Sequence, residues 1–233
     1  MKKIGIIGAM ENEVADLKKA TKNIKTTKKA GMEFYEGVLE GSPVVIVRSG
    51  LGKVNAAICA QILVDQFQVN AIINTGMGGS LHDKLKIDDI VISTDVLYHD
   101  MDAVGFGYKL GQVPQMEVFS FVADKKLATL AKKICLEVNP EVQVMSGRIL
   151  SGDKFIADQS TKTWLVEQFG GICTEMEGAA IAHTAYLNDV PFVIIRAIAD
   201  NADCSIDEHH QNFQAEAAKH CVRLIKNLLQ QYN

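Results

Sequence analysis

The sequence predicts an α/β protein, a three-layer α/β/α sandwich with a mixed central sheet. Three observations support this fold class. Short β-rich segments alternate with segments of helical period, the most apolar strands carry apolar residues on both faces, and the early part of the chain has the pattern of an antiparallel meander. The 233 residues contain no linker-like segment, charge block or internal repeat, so we expect one domain spanning residues 1–233.

Strands are predicted from short runs of β-branched and other apolar residues: Lys3–Ile7, Val44–Val47, Ala71–Asn74, Ile90–Val96, Gln143–Leu150 and Phe192–Ala199. The first, third and last of these runs are apolar on both faces, which is typical of central strands covered by helices on each side. Around Gly31 and Gly41, the segments Lys25–Lys29 and Phe34–Leu39 precede Val44–Val47 in the predicted meander. The sheet is therefore expected to contain both parallel and antiparallel strands.

Helices are predicted where apolar residues recur with a period of about 3.6. Three stripes have this period: Val54, Ile58 and Ile62; Leu127, Leu130, Ala131 and Ile134; Phe213, Ala217, Cys221, Leu224 and Leu228. An alanine-rich helix is also expected after Glu177. Residues 99–121 and 200–212 have little periodicity, so we expect two long loops of the kind that cover a site or form an interface.

The charge balance argues against a partner that carries many phosphates. Lys and Arg together number 24 and Asp and Glu 28, which gives a net charge of −4. A weakly acidic chain has no general attraction to nucleic acid. Few of the cationic residues are arginines, the preferred bidentate ligands of phosphate: Arg48, Arg148, Arg196 and Arg223. We therefore expect a small-molecule ligand and no nucleic-acid partner.

The cysteines and the N-terminal segment indicate the cellular compartment in which the protein works. The five cysteines are odd in number and include no C-x-x-C pair, which argues against a disulfide framework and a Cys-type zinc site. The first apolar run is too short for a signal peptide and leads into Glu11-Asn12-Glu13. No window reaches the roughly 18 apolar residues of a membrane span. We expect a cytoplasmic protein with no membrane partner and no metal.

Two glycine-rich segments resemble nucleotide-binding motifs without completing them. Gly50-Leu51-Gly52-Lys53-Val54 lacks the earlier glycine and the final hydroxyl residue of a phosphate-binding loop. Gly76-Met77-Gly78-Gly79 follows a predicted strand, but residues 80–86 do not begin the apolar helix that a dinucleotide site requires. Two interpretations stay open for both segments: a tight strand exit that needs glycine, or a place where a ligand approaches the main chain.

Acidic residues stand at three places, at the carboxyl ends of apolar strands or in adjacent turns. Glu13 comes shortly after the first strand, Glu175 and Glu177 precede the alanine-rich helix, and Asp200 ends the last strand four residues after Arg196. Each acid alone could be a helix or turn cap. Because the carboxyl ends of parallel strands meet at one edge of a sheet, we expect these acids to converge there in a site.

Short motifs follow one another in a fixed order from Met1 to about Asp203: Gly5–Val14, Ser49–Val54, Ile73–Gly76, Tyr98–Asp100, Phe106–Tyr108, Ser151–Ile156, Glu175–Glu177 and Val190–Asp200. Each motif alone is weak, but the ordered set resembles the 5′-methylthioadenosine/S-adenosylhomocysteine nucleosidases of the nucleoside phosphorylase/nucleosidase superfamily. The resemblance implies hydrolysis of the bond between adenine and ribose by a homodimer that needs neither a metal nor an organic cofactor.

The resemblance also implies catalytic roles by position. Glu13 would be the base that activates the attacking water, and Asp200 would be the acid that protonates adenine N7. Glu177 would hold the ribose hydroxyls, with Met176 packed against the sugar. Arg196 would help to place the water.

The remaining implied roles concern the base and the 5′-substituent. Phe155 would stack on adenine, while the main chain of Ile156 would bind the edge of the base. Phe106 and Tyr108 would lie at the homodimer interface and reach the 5′-substituent pocket of the partner. Two small residues would line the pocket: Ala9 and Gly79.

These residue types suit the implied reaction. Adenine leaves poorly as an anion, so protonation by an acid lowers the barrier. A carboxylate on the opposite face polarises water and stabilises the cation-like ribosyl centre, as in inverting glycoside hydrolysis. A purine nucleoside phosphorylase is the alternative enzyme, but it would clamp phosphate with arginines, and none occurs before Arg48. A thioether substituent needs apolar walls rather than cations.

Three departures from the family pattern bear on activity. Met77 and Ala199 stand where the family usually has serines, and Glu208-His209-His210-Gln211 replaces a usual aromatic segment, with Phe213 the nearest aromatic residue. The lost hydroxyls would have positioned the water and oriented Asp200. A weakly active or merely adenosine-binding homologue is therefore a second alternative, and the preferred 5′-substituent stays open.

Overall fold

The computed structural model describes residues 2–200 and 209–232, and only the backbone for Asp200 and residues 209–217. The strands are β1 (Ile4–Gly8), β2 (Lys22–Lys29), β3 (Met32–Leu39), β4 (Ser42–Arg48), β5 (Ala71–Ser80), β6 (Ile90–Tyr98), β7 (Phe121–Val122), β8 (Val144–Ser151), β9 (Cys173–Glu175) and β10 (Phe192–Asp200). The α-helices are α1 (Glu11–Ala20), α2 (Lys53–Asp65), α3 (Lys125–Val138), α4 (Gln159–Phe169), α5 (Gly178–Leu187) and α6 (His209–Gln231). This alternation confirms the α/β class.

The strands form one mixed sheet, as predicted. β2, β3 and β4 pair antiparallel and form the expected meander, with tight turns at Gly31 and Gly41, whose φ angles are 76° and 83°. β4, β1, β5 and β10 then lie side by side in parallel. β10 also pairs with β6. β6 in turn pairs with β8, β8 with β9, and β9 with β5. These five strands therefore close a ring of pairings that the sequence did not predict.

Helices cover the sheet on both faces, which confirms the three predicted layers. On one face, Ile7 packs in a core that includes Leu63 of α2 and residues of α5. On the other face, Ile6 packs with α1, α3 and α6, which contribute Leu17 and Leu224 among others. Successive side chains of a strand point to opposite faces of the sheet. The central strands are apolar throughout because both of their faces lie in a core.

Helix α2 is rotated relative to its predicted stripe. Val54 and Ile58 are exposed, at 70% and 41%, and Ile62 is only half-buried. The buried face consists mostly of small residues: Ala56, Cys59, Ala60 and Leu63. Small side chains let the helix lie close to the sheet and to α5, so the larger apolar residues remain on the outer surface.

Two predicted boundaries are corrected by the structure. Helix α6 begins at His209, so residues 209–212 are helical and do not belong to the loop expected over 200–212. Residues 201–208 lie outside the described chain. Strand β5 continues to Ser80, so Gly76–Gly79 lie within a strand and not at its exit. The other expected loop is present between β6 and β7 and contains a short 3₁₀ helix, Val104–Phe106. Within the described ranges, none of the helices has the length and hydropathy that a bilayer span requires.

Candidate active site

A cavity of about 490 Å³ opens at the carboxyl ends of β1, β5 and β10. Its wall also includes the turn before α2, the loop after β8, and β9 with the turn that follows it. These segments are far apart in the sequence and meet because parallel strands place their carboxyl ends at one edge of the sheet. The wall holds seven of the predicted site residues: Ala9, Glu13, Gly79, Phe155, Ile156, Met176 and Glu177.

Glu13 lies in the first turn of α1, and its side chain turns back to the cavity. The carboxylate accepts hydrogen bonds from the backbone N–H groups of Ala9 at 2.6 Å, Met10 at 2.9 Å and Met77 at 3.0 Å. It therefore caps its own helix and also ties β1 to β5. Burial raises the pKa of Glu13, while the positive charge of Arg196 and the three N–H donors act in the opposite direction. A raised pKa makes this carboxylate a better proton acceptor.

A glycine of β5 makes room for this carboxylate. A Cβ atom on Gly76 would lie 2.6 Å from Glu13 Oε1. The φ angle of Gly76 is not positive, so the tight-turn interpretation is wrong for this segment, and close packing of the acid explains the glycine. Gly50 and Gly52 do have positive φ angles, 85° and 90°, and for them the tight-turn interpretation is correct.

Glu177 reaches the cavity from the N-terminus of α5. Its Oε1 accepts a hydrogen bond of 2.8 Å from the backbone N–H of Gly52, 125 residues earlier in the chain. Burial, together with the negative charge of Glu175, raises the pKa of Glu177 to about 7. In its ionised form the carboxylate has enough lone pairs to accept hydrogen bonds from two neighbouring hydroxyl groups as well.

Arg196 lies behind the cavity wall, where it is almost fully buried and paired with Glu175. Its guanidinium group also donates to Asn74 Oδ1 at 2.6 Å and lies 3.9 Å from Glu177 Oε2. Glu175 accepts a further hydrogen bond from the hydroxyl of Ser151. A buried charge of this kind needs such partners, because removal from water is costly. Arg196 does not line the cavity and reaches it through the acids that it contacts.

Sequence reasoning gave no role to Glu175, although two signals pointed to it. Arg196 interrupts an otherwise apolar central strand and therefore needs a buried carboxylate partner. Glu175 also lies two residues before Glu177, the acid that the family motif assigns to the ribose, and both acids line the cavity. The contribution of Leu51 to the cavity wall had no such signal, because it depends on how the turn before α2 folds over the site.

The rest of the cavity wall is largely apolar. Leu51, Phe155 and Met176 contribute to it, and Phe155 is 58% exposed, which leaves much of its ring accessible. Lys154 is the one cationic side chain on the described wall. All four arginines belong to the described chain, and none of them lines the cavity. A phosphate ion would therefore find no arginine on this wall.

The structure describes the predicted residues at the end of β10 only in part. The backbone of Asp200 pairs with Gly79, next to the cavity, but the side chain of Asp200 lies outside the described residues. The side chains of His210 and Phe213 also lie outside them. Ala199, which replaces the usual serine, lines the cavity, as does Met77.

Phe106 and Tyr108 lie in the loop between β6 and β7 and do not line the cavity of their own chain. Phe106 is 86% exposed. No described residues form a cluster of three or more His, Cys, Asp or Glu side chains placed to hold a metal ion.

Known proteins match this chain along nearly its whole length. The family model of the Phosphorylase superfamily matches residues 3–230. The 5′-methylthioadenosine/S-adenosylhomocysteine nucleosidases of Shewanella sediminis and Bacillus pumilus are 43% and 42% identical to it over 230 residues, which cover 98% of this chain and 99% of each relative.

Solved structures agree with the sequence matches. The nucleosidase of Colwellia psychrerythraea in complex with adenine has a TM-score of 0.91 and 40% identity, and covers 99% of this chain and 95% of its own. The nucleosidase of Neisseria meningitidis in complex with methylthio-immucillin-A has a TM-score of 0.93 and 36% identity. The match covers 99% of this chain and 100% of the Neisseria chain. The chain belongs to the phosphorylase superfamily and, within it, to the 5′-methylthioadenosine/S-adenosylhomocysteine nucleosidase family.

Proposed function

We propose that this protein hydrolyses the N-glycosidic bond of 5′-methylthioadenosine and S-adenosylhomocysteine, which releases adenine and a 5-thioribose product. The observation that carries the proposal is one largely apolar cavity lined by three buried carboxylates, Glu13, Glu175 and Glu177, of which Glu175 is paired with Arg196. The related nucleosidases are named for both substrates, and the relatives from Colwellia and Neisseria bind adenine and methylthio-immucillin-A.

In the proposed reaction, a water oxygen bonds to C1′ of the ribose while Glu13 accepts a proton from that water. The bond between C1′ and adenine N9 breaks, and Asp200 delivers a proton to adenine N7. The negative charge of Glu13 stabilises the positive charge that develops at C1′. The role of Asp200 rests on the family resemblance and on the position of its backbone beside Gly79.

The other site residues are proposed to bind the nucleoside. Glu177 accepts hydrogen bonds from the two ribose hydroxyls, and Met176 packs against the sugar. Phe155 stacks on the adenine, while the main chain of Ile156 binds the edge of the base. Arg196 helps to place the water through its charge and through the acids that it contacts. Two small residues leave space for the nucleoside: Ala9 and Gly79.

Release of adenine in phosphate-free buffer tests this function. The protein is incubated with 5′-methylthioadenosine, and free adenine is measured with and without added phosphate. We expect release at a rate that phosphate does not increase, because the described wall offers phosphate no arginine. A requirement for phosphate would support a phosphorylase. Binding without release would support an adenosine-binding homologue, the alternative that Met77 and Ala199 suggest.

We propose that two copies of this chain associate through the outer surfaces of α2 and α5. These helices pack together, and Asn188 Nδ2 after α5 donates to Gln61 Oε1 of α2 at 2.9 Å. Their outer faces carry exposed apolar residues: Val54, Ile58, Tyr186 and Leu187. Exposed apolar surface of this kind is typical of protein interfaces.

In such a dimer, Phe106 and Tyr108 would reach the 5′-substituent pocket of the partner. Sedimentation equilibrium of the purified protein tests the dimer, which a monomeric mass at micromolar concentration would contradict.

We further propose that residues 1–233 form one domain that works in the cytoplasm. The cysteines of the described chain are buried thiols, which fits a reducing compartment: Cys59, Cys135, Cys173 and Cys221. A single cooperative unfolding transition is expected for one domain. Cell fractionation with an adenine-release assay tests the location, and activity in a membrane or extracellular fraction would contradict it.

A further inference from the structure

A cluster of charged side chains joins three distant parts of the chain beside the cavity. Lys53 begins α2, Asp100 follows β6 and Asp153 follows β8. Lys53 Nζ is 2.6 Å from Asp100 Oδ2 and 3.6 Å from Asp153 Oδ2. The backbone N–H of Lys53 donates to Asp153 Oδ1 at 2.8 Å, and that of Asp153 donates to Asp100 Oδ2 at 2.9 Å. Each member of the cluster therefore contacts the other two.

The cluster is partly shielded from solvent. The side chains of Lys53 and Asp100 are 23% and 27% exposed, and that of Asp153 is 49% exposed. Burial acts to raise the pKa of Asp100. The hydrogen bonds from Lys53 and from the Asp153 backbone outweigh this effect and hold the pKa of Asp100 below its usual value. An ion pair held by several hydrogen bonds in partial burial is worth more than an isolated pair at the surface.

The cluster holds the ends of two segments that line the cavity. Leu51 on the wall is followed by Gly52 and Lys53, and Phe155 on the wall comes two residues after Asp153. Gly52 has no side chain to cap α2, and Asp153 supplies an acceptor for the first helical N–H from 100 residues away. The Asp153 carboxylate lies so close to this turn that a Cβ on Gly52 would be 3.1 Å from its Oδ1.

The same turn connects the cluster to Glu177, one of the acids that line the cavity. Gly52, which is placed by the contact between Lys53 and Asp153, donates its own N–H to Glu177 Oε1 at 2.8 Å. The φ angle of Gly52, 90°, is one that other residues rarely adopt, so the turn is held in a special conformation. A shift of the turn would move the hydrogen-bond donor that orients Glu177.

We propose that Asp153, held by Lys53 and Asp100, is a positioning residue for Glu177 and Phe155. It fixes the Gly52 turn, which orients the Glu177 carboxylate, and it fixes the start of the loop that carries Phe155. This inference rests on the proposed function, because it assigns the cluster a role in binding the nucleoside.

Two substitutions separate positioning from a merely structural role. Asp153→Ala removes the acceptor for the Lys53 N–H, whereas Asp153→Asn keeps an oxygen at that place. We expect Asp153→Ala to raise KM for 5′-methylthioadenosine about tenfold, with a smaller change in kcat, and Asp153→Asn to recover most of the loss. An unchanged KM in Asp153→Ala would overturn the proposal.

Asp124→Ala is the matched control. Asp124 also caps a helix, because its Oδ1 accepts a hydrogen bond of 2.8 Å from the N–H of Leu127, but it caps α3 in the opposite helical layer. We expect this variant to lower the unfolding temperature and to leave KM unchanged. An equal rise in KM in both alanine variants would mean that general destabilisation, and not the Gly52 turn, explains the effect.

Amide hydrogen exchange provides a readout that does not depend on catalysis. In Asp153→Ala we expect faster exchange over residues 49–56 and unchanged exchange over residues 125–131. Unchanged exchange over 49–56 would overturn the positioning role. Failure of the wild-type protein to release adenine would instead overturn the proposed function, so the two failures are distinguishable.

Discussion

Glu13 and Glu177, two of the three acids that line the cavity, are held in different ways. The Glu13 carboxylate binds two N–H groups from the turn directly before its helix and one from β5. The Glu177 carboxylate is held by the N–H of Gly52, on a turn that side chains from other loops fix in place. Glu13 is thus positioned mainly by local structure and Glu177 by long-range contacts. We expect distant substitutions to disturb nucleoside binding at Glu177 more readily than proton transfer at Glu13.

The largest effect is expected from removing the proposed base or acid. Glu13→Gln and Asp200→Asn should each lower kcat by about 100-fold or more, because neither amide can exchange the required proton. Single-turnover release of adenine measures this loss. Glu11→Gln is the control, since Glu11 lies in the same helical turn but is 54% exposed, pairs with Lys18 and does not line the cavity. Near-wild-type rates in Glu13→Gln would show that its role is wrongly assigned.

The next largest effect tests how closely Glu13 must be placed. Gly76→Ala brings a Cβ against the Glu13 carboxylate, and a displaced base should lower kcat by about 10- to 100-fold. Gly5→Ala is the matched control in a neighbouring buried strand, where the new Cβ meets the flexible tip of Leu63 at 3.0 Å. It should lower stability and leave kcat unchanged. Equal kcat values for the two variants would contradict the requirement for close packing.

A pH profile tests the other acid. The pKa of Glu177 is about 7, and only its ionised form can accept both ribose hydroxyls. As pH falls through this value Glu177 becomes protonated, so its contribution to kcat/KM should fall about tenfold between pH 8 and pH 6. Glu177→Gln should remove this limb of the profile while lowering activity. A limb that persists unchanged in the variant would belong to another group.

The smallest effect concerns stability. The folded-state pKa of Glu177 is raised from 4.5 to about 7, so the folded protein binds this proton more tightly than the unfolded chain does. Stability from this group is therefore complete below about pH 4.5 and is lost as pH rises through 7. Glu177→Gln should therefore stabilise the protein relative to wild type more at pH 8 than at pH 5, because the glutamine carries no charge to bury. Thermal unfolding at the two pH values measures the difference, and an equal effect at both would contradict it.

The sequence predicted the layers and the meander because burial on both faces leaves a clear pattern. Strand β1 is apolar at successive positions such as Ile6 and Ile7, which enter opposite cores. The stripe of Val54 and Ile58 predicted the wrong buried face for helix α2. The helix packs through small residues, and its larger apolar residues face outward. The closed ring of strands had no local signal, because it depends on pairings between strands distant in the chain.

The site was predicted in part for a similar reason. Acids that follow parallel strands meet at one edge, so Glu13 and Glu177 could be placed together from the sequence and the family motifs. The partners that hold Glu177 could not, because the contact of Gly52 with Glu177 and that of Lys53 with Asp153 span more than half and nearly half of the chain. Long-range hydrogen bonds of this kind leave no pattern in one sequence.

Attack of water on the ribosyl carbon, in a cavity with buried acids, distinguishes the proposed hydrolysis from phosphorolysis. Hydrolysis of 5′-methylthioadenosine in water enriched in oxygen-18 tests it most directly, with mass spectrometry of the sugar product in the presence of phosphate. We expect free 5-methylthioribose that carries the label at C1 and no sugar phosphate. A sugar 1-phosphate without the label, or no cleavage at all, would contradict hydrolysis by water.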